Sequence, residues 1–338
     1  MPDIAVVGTG RIGSHHLRTL VEDVPGARVV AVVDAAAERA RELADELHVP
    51  HALTDAAQLL DLEQLDALVV ATPVPSHRPL VELAAGAGLH VFCEKPLGAS
   101  VADARAAADA AEQAGVLLQI GFNRRYAEPW ARAHRAVAAG RIGEIHRLHS
   151  LTRDPGPFTA DPSRIPAGTI FRETLIHDLD VIGWFLGEAR PVSVHATAAA
   201  LVAPDARDSG FLDTAVLTLR CDTGAIATAE ASFSAVYGYD LRGEVFGSEG
   251  MVQMGTPPSS DARLFDASGM HAATAGTDTT RFHGTYVAEL ASFVRGIEGE
   301  EDPSRPTGAD GVAAQLLAEA AVLSHTEGRE VAVSEVAA

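Results

Sequence analysis

The first third of the chain alternates short apolar runs with stretches of helical polar–apolar spacing. Residues 3–8 (Asp-Ile-Ala-Val-Val-Gly), 28–33, 67–71, 89–93 and 116–120 are rich in Val, Ile, Leu and Ala, as expected of buried strands. Helical patterns occupy 11–22, 36–47, the region near 55–61, 77–87 and 100–114, with Ser76 placed to cap the fourth. Strands alternating with helices predict an α/β, doubly wound parallel sheet. After Gly121 the pattern changes. Pro129 suits the first turn of a helix running to about 139, residues 145–153 read as a strand, and the Pro- and Gly-rich 154–168 reads as a long loop. A helical stretch begins near 173, with Ile176, Leu179, Ile182 and Phe185 as its packing stripe. Strands at 191–202, 212–220, 224–235, 240–247 and 250–254 follow without helices between them, which predicts a large mixed, mostly antiparallel sheet. Helices at 283–297 and 308–325 end the pattern, and 255–282, dominated by Pro, Ser, Gly, Ala and Thr, reads as a mobile loop. Two domains are expected, 1–121 and 122–338.

The turn after the first strand carries Gly8-Thr-Gly10-Arg11-Ile12-Gly13, a G-x-G-x-x-G in strand–turn–helix context. Gly8 permits the tight turn, Gly10 lets a pyrophosphate approach the backbone, and Gly13 lets helix and strand pack closely. The second strand ends in Asp34, 21 residues after Gly13. A carboxylate there accepts from the adenosine ribose hydroxyls and repels a 2′-phosphate. The residues that follow are Ala35, Ala36 and Ala37, with no immediate arginine. The domain therefore reads as a Rossmann domain for NAD rather than NADP. Asp34 also suits the N-cap of the helix at 36–47.

Composition adds one unusual fact. Among 26 Lys and Arg residues in a chain of 338, Lys95 is the only lysine, and it lies in Glu94-Lys95-Pro96 at the end of the run 89–93. In an open α/β sheet, ligands bind outside the carboxyl ends of the strands. Lys95 thus falls where the reactive end of a dinucleotide is expected, and a compact ammonium there is not replaceable by a guanidinium. The X-Pro bond can be cis. The net charge of −20 and the absence of a basic run argue against nucleic acid or an anionic membrane as partner and suit a soluble metabolic protein. Cys93 and Cys221, the only cysteines, form no disulfide framework, so a cytoplasmic location is expected.

Glu173, His177 and Asp180 have i, i+4 and i+3 spacing on the helix that begins near 173, and a carboxylate–imidazole–carboxylate face suits proton transfer. The same spacing suits an ordinary solvated face. No further ligand cluster accompanies it, and no metal is expected.

Together these residues resemble the Gfo/Idh/MocA oxidoreductase family over nearly the whole chain. The resemblance rests on Gly8 to Gly13, Ala71-Thr72-Pro73 with His77, Glu94-Lys-Pro-Leu97, Gly121-Phe-Asn-Arg-Arg-Tyr126, Ile176-His-Asp-Leu-Asp180 and Tyr237-Gly-Tyr-Asp240 with Glu244-Val-Phe-Gly247. It implies a Rossmann domain followed by an α/β domain, a substrate between them, and a homodimer or homotetramer built on the sheet faces. It implies cofactor contacts from Thr72, Pro73, His77, Glu94 and Lys95 besides the glycine turn and Asp34. It implies His177 as the base for a secondary hydroxyl, Lys95 as the stabiliser of the substrate oxygen, and a carboxylate at 173 orienting the imidazole. Asn123, Arg124, Asp154, Asp180 and Tyr239 become candidates for substrate hydroxyls. The family commonly has Asp where this chain has Glu173, and Gly-Gly where it has Ala167-Gly168-Thr169. The expected activity is NAD-dependent oxidation of a cyclic polyol or sugar, with myo-inositol to 2-keto-myo-inositol (scyllo-inosose) foremost. Another inositol isomer or an aldose, an NAD-retaining glycosidase relative and a non-catalytic dinucleotide-binding regulator are the alternatives. The joint presence of Lys95 and His177 argues against the last.

Overall fold

The apolar runs of the first third form a six-stranded sheet. A computed structural model describes residues 1–156, 158–255, 263–272 and 277–336. Strands β1 (Asp3–Val7), β2 (Arg28–Val33), β3 (His51–Leu53), β4 (Ala67–Val70), β5 (His90–Cys93) and β6 (Leu118–Ile120) lie in the order β3-β2-β1-β4-β5-β6. All pairings are parallel. The order reverses between β1 and β4, so the turns after these strands face a common switch point. Helices α1 (Arg11–Glu22), α2 (Ala37–Glu46), α3 (His77–Gly86) and α4 (Val101–Ala114) supply the crossovers. Strand β3 carries no apolar run, since His51 and Ala52 are exposed at the sheet edge, and this is why periodicity does not reveal it. The expected helix near 55–61 is a 3₁₀ helix, Ala56–Asp61, closed by an Asp55–Gln58 capping box. Ser76 does not cap α3; its hydroxyl donates instead to Thr72 Oγ1 (2.8 Å) and the Pro73 carbonyl (2.7 Å).

Contacts divide the chain into two units, Met1–Tyr126 with Gly284–Val312 and Ala127–His283 with Ala313–Ala338. The sequence reading places everything after residue 121 in the second domain. The return of 284–312 to the first has a physical cause. Leu290, Phe293 and Val294 bury themselves with Ile4, Val6, Val69 and Phe92 of the parallel sheet. Hydrophobic burial, at roughly 25 cal/mol per Å² of apolar surface, binds a distant helix to this core.

The second unit is a seven-stranded sheet with its helices. Strands β7 (Ile145–Pro155), β8 (Pro191–Ala199), β9 (Thr214–Cys221), β10 (Ile226–Ala235), β11 (Asp240–Gly247) and β12 (Met251–Met254) are joined by β15 (Val331–Ala332), in the order β12-β11-β7-β10-β9-β8-β15. Only β7 and β10 pair in parallel. Burial alternates along β9 and β10, leaving one face covered and the other open. Helices α5 (Glu128–Ala138), α6 (Ile176–Leu186) and α9 (Gly308–Glu327) contribute Trp130, Phe185, Leu317 and Ala318 to the covered core. Of the stretch 255–282, the described residues hold a hairpin, β13 (Arg263–Asp266) with β14 (Gly269–Ala272), and a short helix α7 (Asp278–Arg281) ahead of α8 (His283–Ile297). Residues 256–262 and 273–276 of that expected loop lie outside the described residues.

Strand β8 ends at Ala199, before the expected 202, for a local reason. The buried Asp213 carboxylate accepts from the amides of Leu201 (2.9 Å), Val202 (2.9 Å) and Ala203 (3.0 Å), turning the chain out of the sheet. Asp213→Ala strands these donors. We expect it to destabilise the protein by about 2 kcal/mol or more in denaturant unfolding; a loss below about 0.5 kcal/mol refutes the role of the carboxylate.

Candidate active site

The glycine turn shows three different reasons for its three glycines. Gly8 has φ +94°, and a Cβ there meets the Ala71 carbonyl oxygen at 2.7 Å. At Gly13 a Cβ lies 2.0 Å from the Gly8 carbonyl oxygen, so only glycine lets α1 pack down on β1. A Cβ on Gly10 meets nothing within 4 Å, and the residue has φ −59°, which any side chain adopts. Any demand for glycine at position 10 therefore comes from outside the chain. Gly10 caps α1 without a side-chain hydrogen bond, and the first turn, beginning with the exposed Arg11 and half-buried Ile12, contains no acidic residue. An uncapped helix N-terminus beside an open glycine fits a pyrophosphate.

Asp34 stands at the end of β2. Its Oδ2 accepts from the Thr9 amide (2.8 Å) and hydroxyl (2.6 Å), and its Oδ1 accepts from the Ala36 amide (2.9 Å). It does not cap α2 as expected: the N-cap is Ala36, without a side-chain hydrogen bond, and Asp34 instead ties the turn ahead of α2 to the glycine turn. The chain uses three of roughly four acceptor positions of the carboxylate, leaving one for a ribose hydroxyl. Burial raises the Asp34 carboxyl, but the Thr9 and Ala36 hydrogen bonds and the charge of Arg39 outweigh it and hold it below the usual range. Asp34 is ionised at neutral pH.

Thr72 and Pro73 follow β4, and Glu94 and Lys95 follow β5. Along 91–98 every residue is buried except Lys95, which is half-exposed; its bond to Pro96 is cis. His77 and Glu94 were expected to touch the cofactor. Both are buried and hydrogen-bonded within the chain. His77 is 1% exposed, with Nδ1 2.8 Å from the Pro96 carbonyl and Nε2 2.9 Å from that of Thr72. Glu94 accepts from His16 Nε2 (2.7 Å) and the Lys95 amide (3.1 Å). Burial raises the Glu94 carboxyl, but its bonds and the charges of His16 and Lys95 hold it below the ordinary value. His16, fully buried, escaped the sequence reading; its place three residues beyond Gly13 gave no sign of a partner 78 residues away.

Asn123 and Arg124 are buried in a 3₁₀ turn, Asn123–Tyr126. The next residues fasten that turn: Arg125 pairs with Asp310 (3.0 Å) and the Tyr126 hydroxyl bonds Ser292 (3.2 Å).

In the second unit, Glu173 and His177 do not share one regular helix. Ile170–Thr174 is a π-helical turn, with the Leu175 amide bonded to the Ile170 carbonyl (2.9 Å), and α6 begins at Ile176. The i, i+4 spacing on a single α-helical face therefore fails between 173 and 177, while i, i+3 holds between His177 and Asp180. Such turns are frequent at functional sites. Arg172 grips Glu319 through two bonds (2.6 and 2.7 Å) and donates to the Ala167 carbonyl (3.0 Å), fixing the entry to the turn. The entry at Gly168 has φ +79°, and a Cβ there meets Arg172 at 2.8 Å. Asp178, fully buried, accepts from Ser150 and from Thr152 (2.6 Å), tying the first turn of α6 to β7. It too was missed, since its partners lie on another element. Asp180 is 3% exposed, so α6 has no solvated acidic face. Asp154, near the end of β7, and Tyr239, just before β11, lie next to the paired residues Arg153 and Asp240. The sheet thus brings Asp154 and Tyr239 to one end, and Asp178 links His177 to the same strand.

A parallel sheet with a glycine cradle, a ribose carboxylate and a half-exposed lysine beyond the strand ends defines a dinucleotide-dependent oxidoreductase. Residues 3–122 match the oxidoreductase family described as having an NAD-binding Rossmann fold, and 130–253 match the GFO/IDH/MocA C-terminal domain. Myo-inositol 2-dehydrogenase of Thermotoga maritima is 36% identical over 98% of this chain and 99% of its own. The NAD(+)-dependent scyllo-inositol 2-dehydrogenase of Bacillus subtilis is 34% identical over 88% of this chain and 87% of its own. The crystal structure of Lactobacillus casei scyllo-inositol dehydrogenase with bound NAD(H) and scyllo-inositol superposes with TM-score 0.93 at 26% identity, covering 99% of both chains. The chain belongs to the GFO/IDH/MocA oxidoreductase family, with NAD as its cofactor. Among the described residues no helix is long and apolar enough to cross a membrane.

The glycines make separable predictions. Gly10→Ala is expected to leave stability within about 0.5 kcal/mol of wild type while weakening NAD binding; Gly13→Ala is expected to lower both. Thermal unfolding and NAD titration check this, and equal stability losses in the two variants refute it. Asp34→Ala is expected to weaken NAD binding by about 10-fold and to narrow the preference over NADP; an unchanged NAD:NADP affinity ratio contradicts the role of the carboxylate.

Proposed function

We propose that this NAD-dependent dehydrogenase oxidises a secondary hydroxyl of a cyclic polyol, with myo-inositol to 2-keto-myo-inositol as the leading reaction. The observation that carries the reading is the placement of the only lysine, half-exposed in a buried turn beyond β5, in a chain similar along its length to an inositol dehydrogenase. Bound NAD supplies the acceptor for the hydride leaving the substrate carbon. Gly8, Gly10, Gly13 and the first turn of α1 hold the pyrophosphate, Asp34 the ribose, and Thr72 and Pro73 border the cofactor beyond β4. His177 takes the hydroxyl proton as the C–H bond breaks and the ketone forms. The Lys95 ammonium holds the same oxygen and stabilises its developing negative charge. Glu173 orients the imidazole from the π-helical turn. Asn123, Arg124, Asp154, Asp180 and Tyr239 contact the remaining hydroxyls and select the ring. Glu173, one methylene longer than the family's usual Asp, acts from a turn whose pitch differs from an α-helix, and this substitution shapes which isomer is preferred.

A second reading is the same chemistry on scyllo-inositol. It draws support from the scyllo-inositol dehydrogenases, similar in sequence and in fold. The open face of the seven-stranded sheet exposes Val216, Ile226 and Phe246 at close to half of their surface, which supports a homodimer or homotetramer through that face. Two buried, free thiols support a cytoplasmic setting.

NADH formation with a panel of inositols and aldoses tests the function. Turnover of one inositol isomer is expected, with kcat lower by about 100- to 1,000-fold in Lys95→Ala and by about 100- to 10,000-fold in His177→Ala. No NADH from any inositol, with NAD binding intact, overturns the substrate assignment; undiminished turnover in either variant removes that residue from the mechanism.

A further inference from the structure

Lys95 is the one half-exposed residue in a buried run, and the residues on either side of it are each held by a buried histidine. On its N-terminal side, Glu94 receives His16 Nε2 at 2.7 Å. A carboxylate only accepts, so this ring nitrogen carries the hydrogen. His16 is fully buried, with Phe92 and Tyr286 edge-on to its ring at centroid distances of 5.4 and 5.5 Å, so the imidazole has little freedom to swing away. The second Glu94 oxygen accepts from the Lys95 amide itself (3.1 Å). Gly121 completes this side, since a Cβ there meets both Glu94 carboxylate oxygens at 3.0–3.2 Å.

On the C-terminal side, the Pro96 carbonyl lies 2.8 Å from His77 Nδ1, and Nε2 of the same ring lies 2.9 Å from the Thr72 carbonyl. The ring therefore spans the turns that follow the neighbouring strands β4 and β5. Either neutral tautomer donates to one of these carbonyls, and the protonated ring donates to both. Beyond it, a Cβ on Gly98 meets the Ala104 amide nitrogen at 2.5 Å, so the turn is also pressed against α4.

We propose that His16 and His77 are positioning residues for Lys95: His16 acts through the Glu94 carboxylate and His77 through the Pro96 carbonyl, so that the backbone on both sides of the lysine is held where its side chain meets the substrate oxygen. The proposal rests on the reading of Lys95 as the group that holds that oxygen. It adds support of the lysine to the cofactor contact expected of His77 and Glu94. It also gives α1 a second task, since the helix that receives the pyrophosphate carries His16 to the lysine turn.

A double-mutant comparison on the full-length protein tests it. His16→Phe and His77→Phe are each made in the wild type and in Lys95→Ala, and kcat and KM for myo-inositol and Kd for NAD are measured. In the wild-type background each is expected to lower kcat by about 100-fold, the scale of a misplacement near 1 Å, with NAD affinity kept within about threefold. In Lys95→Ala each is expected to change the residual kcat by less than about threefold, because the group through which they act is gone. Equal losses in both backgrounds, an unchanged kcat, or NAD affinity falling in step with kcat each overturn the proposal. If a phenylalanine variant does not fold, His77→Gln and Glu94→Gln carry the same comparison. Wild-type turnover in Lys95→Ala overturns the reading of the lysine and this inference with it. An inactive Lys95→Ala beside fully active histidine variants overturns the inference alone.

Discussion

The absence of a side chain at Gly13 is the constraint on which the dinucleotide unit depends. A Cβ there would lie 2.0 Å from the Gly8 carbonyl oxygen, so α1 reaches its position against β1 only through glycine. From that position its uncapped first turn faces the switch point, and its second turn delivers His16 to Glu94. The open first turn of α1 and the His16–Glu94 bond follow from one close backbone approach. Gly8 makes the complementary approach to the turn after β4, where Thr72 accepts from Ser76 and offers its carbonyl to His77. Rigid turns on a packed sheet hold reacting groups more closely than loops alone can.

The second unit solves a related problem with charge rather than with missing side chains. Its α6 is buried on nearly all sides: Ile176, Leu179, Val181 and Ile182 are within 1% of full burial, and Trp184 stacks on His134 at 3.9 Å. A helix this enclosed needs its polar groups satisfied inside the protein. Asp178 meets that need through Ser150 and Thr152. The same bonds set the rotation of the helix and hence the direction of the residue before it, His177. The π-helical turn ahead of α6 and the Arg172–Glu319 pair govern the approach of Glu173.

Much of this was legible in the sequence. Buried parallel strands are continuous apolar runs, so β1, β2, β4, β5 and β6 announced themselves, as did the alternating strands β9 and β10. Gly8, Gly10, Gly13 and Asp34 were readable because their spacing is local and each answers a short-range steric or electrostatic demand. Lys95 was conspicuous through composition. What escaped detection had no local signature. Strand β3 has an exposed edge, the 3₁₀ helix at Ala56–Asp61 mimics an α-helical pattern, and the π turn replaces an α turn without changing the residue spacing.

By itself, the sequence determined the order of elements, the glycine cradle, the ribose carboxylate and the identity of the chemically distinctive side chains, since these depend on residues adjacent or a few positions apart. Tertiary structure alone decided that His77 and Glu94 are buried, that His16 bonds Glu94 and Asp178 bonds Ser150 and Thr152, and that 284–312 returns to the first unit. Each of these rests on a hydrogen bond or an apolar contact between residues distant along the chain. Neither periodicity nor spacing encodes such a pairing, and only the packed chain reveals it.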